Sequence, residues 1–150
     1  MQNITIRVAV PDDSQAIANL HHLVRETSML YLPVLHTVDE SIAFFAKVIE
    51  NSRVLVAERF DSVIAYCAYG DGWVEHLKVH PDYQRRGVGA FLLEKAMAEN
   101  ESLRLWVFQK NQGAIRFYER FNFKLIRKTD GSENEEREPD ALYEWSRNSA

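Results

Sequence analysis

Three short apolar runs lie back to back at 53–59, 63–69 and 73–79, separated only by Phe60-Asp61-Ser62 and Gly70-Asp71-Gly72. Connections this short join antiparallel neighbours, since a parallel pair needs a crossover of roughly a dozen residues. The middle of the chain is therefore read as an antiparallel meander, and the other elements must pack on it. Ile4, Ile6 and Val8 alternate with polar residues and add a first strand. Two helical patterns follow it. Ile17, Leu20 and Val24, with Ala16 and Leu23, stand behind a capping-box signal from Asp12 and Gln15. Ile42, Phe45 and Ile49, with Phe44 and Val48, stand behind a second such signal, Thr37-Val38-Asp39-Glu40. Tyr31-Leu32-Pro33 separates the two.

Beyond the meander, Pro81 ends the third strand and a glycine-bearing loop leads into a helix through Phe91, Leu92, Lys95 and Ala98. A strand at 103–108, a helix carrying Ala114, Phe117, Tyr118 and Phe121, and late strands at 123–126 and 141–145 complete the pattern. The order β-α-α-β-β-β-α-β-α-β-β predicts an α/β (α+β) domain with a mixed sheet. At 150 residues it is read as a single domain, 1–150. Eighteen basic against 22 acidic residues leave a net charge of −4, so there is no net positive field to hold nucleic acid or an anionic membrane. One cysteine, Cys67, excludes an internal disulfide framework and a cysteine-based zinc site, and its apolar strand context reads as core. The N-terminal segment lacks the pattern of a signal peptide, and no apolar run approaches the roughly 20 residues of a membrane span. A cytoplasmic domain with no membrane partner is the expectation.

The segment that carries chemistry is His80-Pro81-Asp82-Tyr83-Gln84-Arg85-Arg86-Gly87-Val88-Gly89. A strand enters a tight loop and a helix begins, which points unpaired N–H groups and a partial positive charge at whatever sits before the helix. Gly87 and Gly89 clear side chains from that spot, and Arg85 and Arg86 add charge, so the segment can cradle a pyrophosphate. A phosphate-loop nucleotide binder fits less well, because no glycine-rich loop ending in Lys-Ser/Thr is present.

Gln84-Arg85-Arg86-Gly87-Val88-Gly89 resembles the Q/R-x-x-G-x-G/A motif of the GCN5-related N-acetyltransferase superfamily, together with Leu77-Lys78-Val79-His80-Pro81 before it and Ala90-Phe91-Leu92-Leu93 after it. The run from Asn111 to Phe123, with its Phe117-Tyr118-Glu119, resembles the second signature of that family. The spacing of the two segments and the element order agree with it as well. Asn122-Phe123 replaces the usual Gly-Phe, and Asn is the next best residue for a left-handed helix cap.

The resemblance implies a mostly antiparallel sheet with helices on both faces and a cleft where the fourth and fifth strands splay apart. It implies acetyl-coenzyme A as co-substrate and no metal. Pantetheine would run along the strand end Leu77, Lys78 and Val79, with Asn111 on the far side, and Gln84, Arg85, Arg86, Gly87, Val88, Gly89 and Ala90 would hold the pyrophosphate. An amine would attack the thioester directly. Glu75 is the expected base, directly or through water, if strand alternation runs unbroken to Leu77 and Val79; a bulge would bring in His76 instead. A backbone N–H near Leu77 would serve the oxyanion, and Tyr118 would protonate the departing thiolate. The acceptor is a small-molecule or peptide amine, and a homodimer is common in the family. The acidic stretch 129–140 lies where the family builds its acceptor side, so Glu135, Glu136 or Asp140 is expected to attract a cationic amine. The alternatives are a protein N-terminal or lysine acetyltransferase and a non-catalytic acyl-coenzyme A-binding module. His21, His22 and His36 lack metal-site spacing, and Trp73, Trp106 and Trp145 read as packing residues.

Overall fold

The computed structural model describes residues 3–148. Its strands are β1 (Ile4–Val8), β2 (Arg53–Arg59), β3 (Ser62–Gly70), β4 (Trp73–Val79), β5 (Ser102–Phe108), β6 (Lys124–Lys128) and β7 (Asp140–Ser146). Its helices are α1 (Ser14–Ser28), α2 (Val38–Asn51), α3 (Val88–Ala98) and α4 (Gln112–Arg120). They form one seven-stranded sheet in the order β1-β2-β3-β4-β5-β7-β6. Only β4 and β5 run parallel; the other neighbours are antiparallel. The expected element order and mixed sheet are both present. No helix of the described residues is long and apolar enough to cross a membrane.

Helices cover both faces of the meander, which explains why β2 and β3 are buried along most of their length instead of alternating. On one face, Ile17, Leu20 and Val24 of α1 and Phe45 and Val48 of α2 pack over Val54, Val56, Tyr66 and Ala68. On the other, Leu92, Leu93 and Ala96 of α3 and Tyr118 of α4 pack over Leu55, Ala57, Ala65 and Cys67. Cys67 is core, as expected, and burial pushes its thiol up to about 12. Of the tryptophans, Trp145 is buried, while Trp106 is exposed with the Arg127 guanidinium 5.2 Å from its ring centre.

Several helix ends follow their local sequence. Thr37 and Glu40 form the expected capping box at α2, each side chain accepting from the other's backbone N–H. At α1 the expected Asp12 cap is replaced. Pro11–Asp13 form a 3-10 turn, and Asp13 accepts from Val10 N at 2.7 Å. Proline suits the first helical position, which moves the start one turn earlier. The Arg7 guanidinium bonds Asp13 at 2.8 Å and holds its carboxyl below the ordinary range.

At the end of α4, Asn122 is left-handed with φ 67°. Phe123 N donates to Tyr118 O at 3.1 Å and Asn122 N to Glu119 O at 3.0 Å, the paired bonds of a Schellman cap. The Phe123 ring packs 5.5 Å from Tyr118, so Phe123 belongs to the cap, and β6 begins at Lys124 rather than at 123.

The acidic stretch 129–140 is a built loop. Asp140 is buried and accepts from Thr129 Oγ1 and from Asn134 Nδ2. Asn134 also bridges Glu138 through both side-chain ends. Gly131 sits at φ +83° with its absent Cβ 2.4 Å from the Glu138 carbonyl carbon. Gly131→Ala therefore combines left-handed strain with a backbone clash, and should lower unfolding stability by roughly 1–3 kcal/mol in urea denaturation. Asn122→Gly should stay within about 1 kcal/mol of the parent in the same measurement, because its cap position favours glycine.

Candidate active site

β4 and β5 touch at one residue pair, Trp73 with Arg104, supported by Arg104 N donating to Gly72 O at 2.8 Å. Beyond it the strands part. β4 stays paired to β3 and β5 to β7, and a cleft of about 930 Å³ opens between them. The cleft passes through the sheet. Val24 and Ser28 of α1 and Met29 at its end line it on one face, and α3 and α4 line it on the other. Leu77, Lys78 and Val79 form its β4 wall, as expected.

The start of α3 faces this cleft. Gly87 caps the helix at φ +85°, and Arg85 is left-handed at φ 65°. The amides of Val88, Gly89 and Ala90 have no acceptor within the helix, and the positive end of its dipole adds to them. Val88 is buried and fixes the helix in the core. A Cβ on Gly89 would lie 3.3 Å from Val79 Cγ2 and 3.7 Å from Phe117 Cζ, so glycine keeps the floor open. Gln84 Nε2 donates to Val79 O at 3.0 Å, joining the loop to the strand end. Arg86 lies over the Tyr83 ring at 5.5 Å and is not part of the cleft wall. Arg116 and Arg120, one turn apart on α4, are part of it, though the sequence did not single them out; their spacing beside the second motif is the signal that could have found them.

α4 brings two further expected residues to the cleft. Asn111 caps the helix, its side chain accepting from Ala114 N at 3.2 Å. Tyr118 is buried against Phe117 and borders the cleft. Burial, with Cys67 nearby, pushes its phenol above the ordinary value, so it is protonated at neutral pH.

The facing expected of Glu75 depended on unbroken alternation, and the alternation is broken. Ala68 pairs with His76 but Tyr69 with Val74, which leaves Glu75 as the extra residue of a bulge. Glu75 is exposed, accepts from Ser52 Oγ and is not in the cleft wall. His76 turns to the α1–α2 face among Phe44, Phe45, Tyr66 and His21. Burial, with Lys78 nearby, lowers its pKa to about 3.

The three loop acids expected to attract an amine are occupied. Glu135 bonds His36, Glu136 pairs with Arg25 at 3.1 Å, and Asp140 is held as described. His21 meets the Tyr66 hydroxyl and His22 the Ser41 hydroxyl. A second cavity of about 380 Å³ lies beside this loop, with Trp106, Phe108, Arg127 and Glu133 in its wall.

Comparison with known proteins agrees with this geometry. Residues 50–125 match the family model of the acetyltransferase (GNAT) domain. The L-amino acid N-acyltransferase MnaT of Escherichia coli (strain K12) is 34% identical over 108 residues, 64% of this chain and 62% of that protein, so the match spans less than two thirds of that relative. An N-alpha-acetyltransferase of Saccharolobus solfataricus is 28% identical over 143 residues, covering 87% of this chain and 86% of that one. The solved structure of yncA, a putative acetyltransferase from Salmonella typhimurium with its cofactor acetyl-CoA, has the same fold, with a TM-score of 0.73, 22% identity and coverage of 99% and 96%. With half of its length matched by the family model, this chain belongs to the GCN5-related (GNAT) acetyltransferase family.

Proposed function

We propose that the protein is an acetyl-coenzyme A-dependent N-acetyltransferase acting on an α-amino group. The observation that carries this reading is the placement of the open α3 N-terminus, the unpaired edge of β4 and the Tyr118 phenol around one cleft. Each matches one part of the donor. The α3 amides with Arg85, Arg116 and Arg120 suit its phosphates. The β4 edge at Leu77 and Val79 suits pantetheine, whose amides can pair with it as an added strand does. Asn111 stands across the gap, and Gly89 leaves room for the chain to pass. The acceptor class is carried over from the two curated relatives, both named for acylation of amino acids or α-amino groups.

In the transfer, the neutral amine attacks the thioester carbonyl carbon and a C–N bond forms. The carbonyl oxygen becomes an oxyanion, for which a β4 backbone N–H near Leu77 is the donor. The C–S bond then breaks, and Tyr118 donates its proton to the thiolate. The ammonium proton leaves through water. Glu75 acts as base only by such a relay, given its place outside the wall. The buried His76 is too weak a base to hold that proton. A homodimer is carried over from the family resemblance, and a cytoplasmic setting fits the single, buried cysteine.

Calorimetry with coenzyme A, followed by thiol release from acetyl-coenzyme A across α-amino acceptors, tests the proposal. Binding with turnover is expected. Gly89→Leu should abolish binding while the far-UV circular dichroism stays native. Tyr118→Phe should keep binding and lower kcat by roughly 10²-fold. Binding without turnover, indifferent to Tyr118→Phe, would instead mark a non-catalytic module.

A further inference from the structure

Two cations stand on the acceptor side of the cleft, and too few acids balance them. Lys78 projects from β4 toward α1, and it borders the cleft. Among the described residues its ammonium makes no hydrogen bond or ion pair. Its electrostatic neighbours are Arg25, Glu136, His21 and His76. Arg25 sits on α1 next to Val24 and one turn before Ser28 and Met29, three residues of the cleft wall. It spends one guanidinium nitrogen on Glu136 at 3.1 Å and another on Pro33 O at 3.5 Å.

Glu136 therefore neutralises one of two positive charges. The other acids nearby face other partners: Glu135 bonds His36, Glu138 pairs through Oε1 with Lys110 at 3.6 Å while its buried Oε2 makes no hydrogen bond, and Asp140 is held within its loop. His21 and His76 are uncharged, lowered to about 2 and about 3 chiefly by burial. Lys78 itself is lowered to about 8, first by burial and then by Arg25. It thus remains mostly protonated at neutral pH, an ammonium set into the protein with no anion against it. A cationic acceptor would add a third positive charge to this spot. An anionic group would complete it.

Building on the acetyltransferase reading, we propose that Lys78 and Arg25 form a carboxylate subsite, and that the acceptor is a free α-amino acid or a close analogue with a carboxylate beside its amine. Lys78 follows Leu77, whose amide region is assigned to the thioester, so an anion held at Lys78 lies within a small molecule's reach of the reacting carbon. A peptide N-terminus carries its carboxylate too far along the chain to use the same pair. This subsite runs against the cationic amine expected from the acidic stretch 129–140, because Glu135, Glu136 and Asp140 already have partners.

The test compares kcat/KM for matched acceptors: an L-amino acid, its carboxamide, its decarboxylated amine and a dipeptide beginning with the same residue. The wild-type protein should prefer the free acid. Lys78→Met should collapse that preference by roughly ten- to a hundredfold, through KM rather than kcat, and Lys78→Arg should restore part of it. The Lys78→Met protein should be folded, with a denaturation midpoint at pH 7 no lower than the parent's. The parent's stability should also rise between about pH 8 and 10.5, where its unfolded chain binds the proton its folded form has lost, and the variant should lack that rise. Equal turnover of acid, amide and amine by the wild type overturns the subsite. So does a Lys78→Met variant that loses kcat on every acceptor alike, as a general base would, and so does absence of turnover with every amino acid. Loss of coenzyme A binding in the wild-type protein would instead overturn the acetyltransferase reading beneath it.

Discussion

The parting of β4 from β5 is the constraint on which the site depends. Parallel neighbours normally satisfy each other's backbone groups along their whole length. Here a single pair at Trp73 and Arg104 joins them. Two commitments pull the strands apart. β5 pairs with β7 along all seven of its residues, and β4 follows β3 through a bulge at Glu75, an irregularity of the kind that bends a strand. The bulge re-aims the glutamate and lies next to the one pair that still joins the two strands.

An open strand edge has a cost. A backbone N–H or C=O shut away from water without a partner is unfavourable by about 1–3 kcal/mol. Gln84 meets part of that demand by bonding the Val79 carbonyl, and in doing so it anchors the glycine loop to the strand. The remaining edge groups face the cleft, where water or the amides of an extended ligand can satisfy them. The gap also admits α1 from the far side, so the cleft is lined from both faces of the sheet. The Schellman cap at Asn122 contributes by fixing where α4 stops, which sets Tyr118 against the core and at the cleft's border.

Much of this was legible in the residues themselves. The meander followed from turn lengths, the α2 start from Thr37 and Glu40, the anion cradle from two glycines at a strand–helix junction, and the αL cap from Asn122. What was not legible depends on contacts distant in sequence or on one-residue slips. The Glu75 bulge leaves no local mark, because Val74, Glu75 and His76 read as regular alternation. The loop at 129–140 reads as solvent-exposed because its acids outnumber its apolar residues. Its order comes from one buried carboxylate, Asp140, whose partners Thr129 and Asn134 are eleven and six residues away. Arg116 and Arg120 were visible only as an arginine pair one helical turn apart.

The electrostatics of the cleft carry the same lesson about scale. The chain bears a net charge of −4, and composition alone suggests a protein that draws cations. Yet a charge acts at a site only when no partner nearer than the ligand has already taken it, since exposed charges further off than about 8–10 Å are screened at physiological salt. Among the acids of the β6–β7 loop, Glu136, Glu135 and Glu138 pair with Arg25, His36 and Lys110 and Asp140 is folded into the loop itself, while Glu133 stands at the second cavity, away from the cleft. The basic residues at the cleft are less fully paired. Arg85, Arg116 and Arg120 line the end where phosphates would lie, and Lys78 at the other has no ion-pair partner among the described residues. An acidic protein can in this way present a cationic cleft, and what selects its ligand is the residual charge left after internal pairing rather than the sum over the sequence.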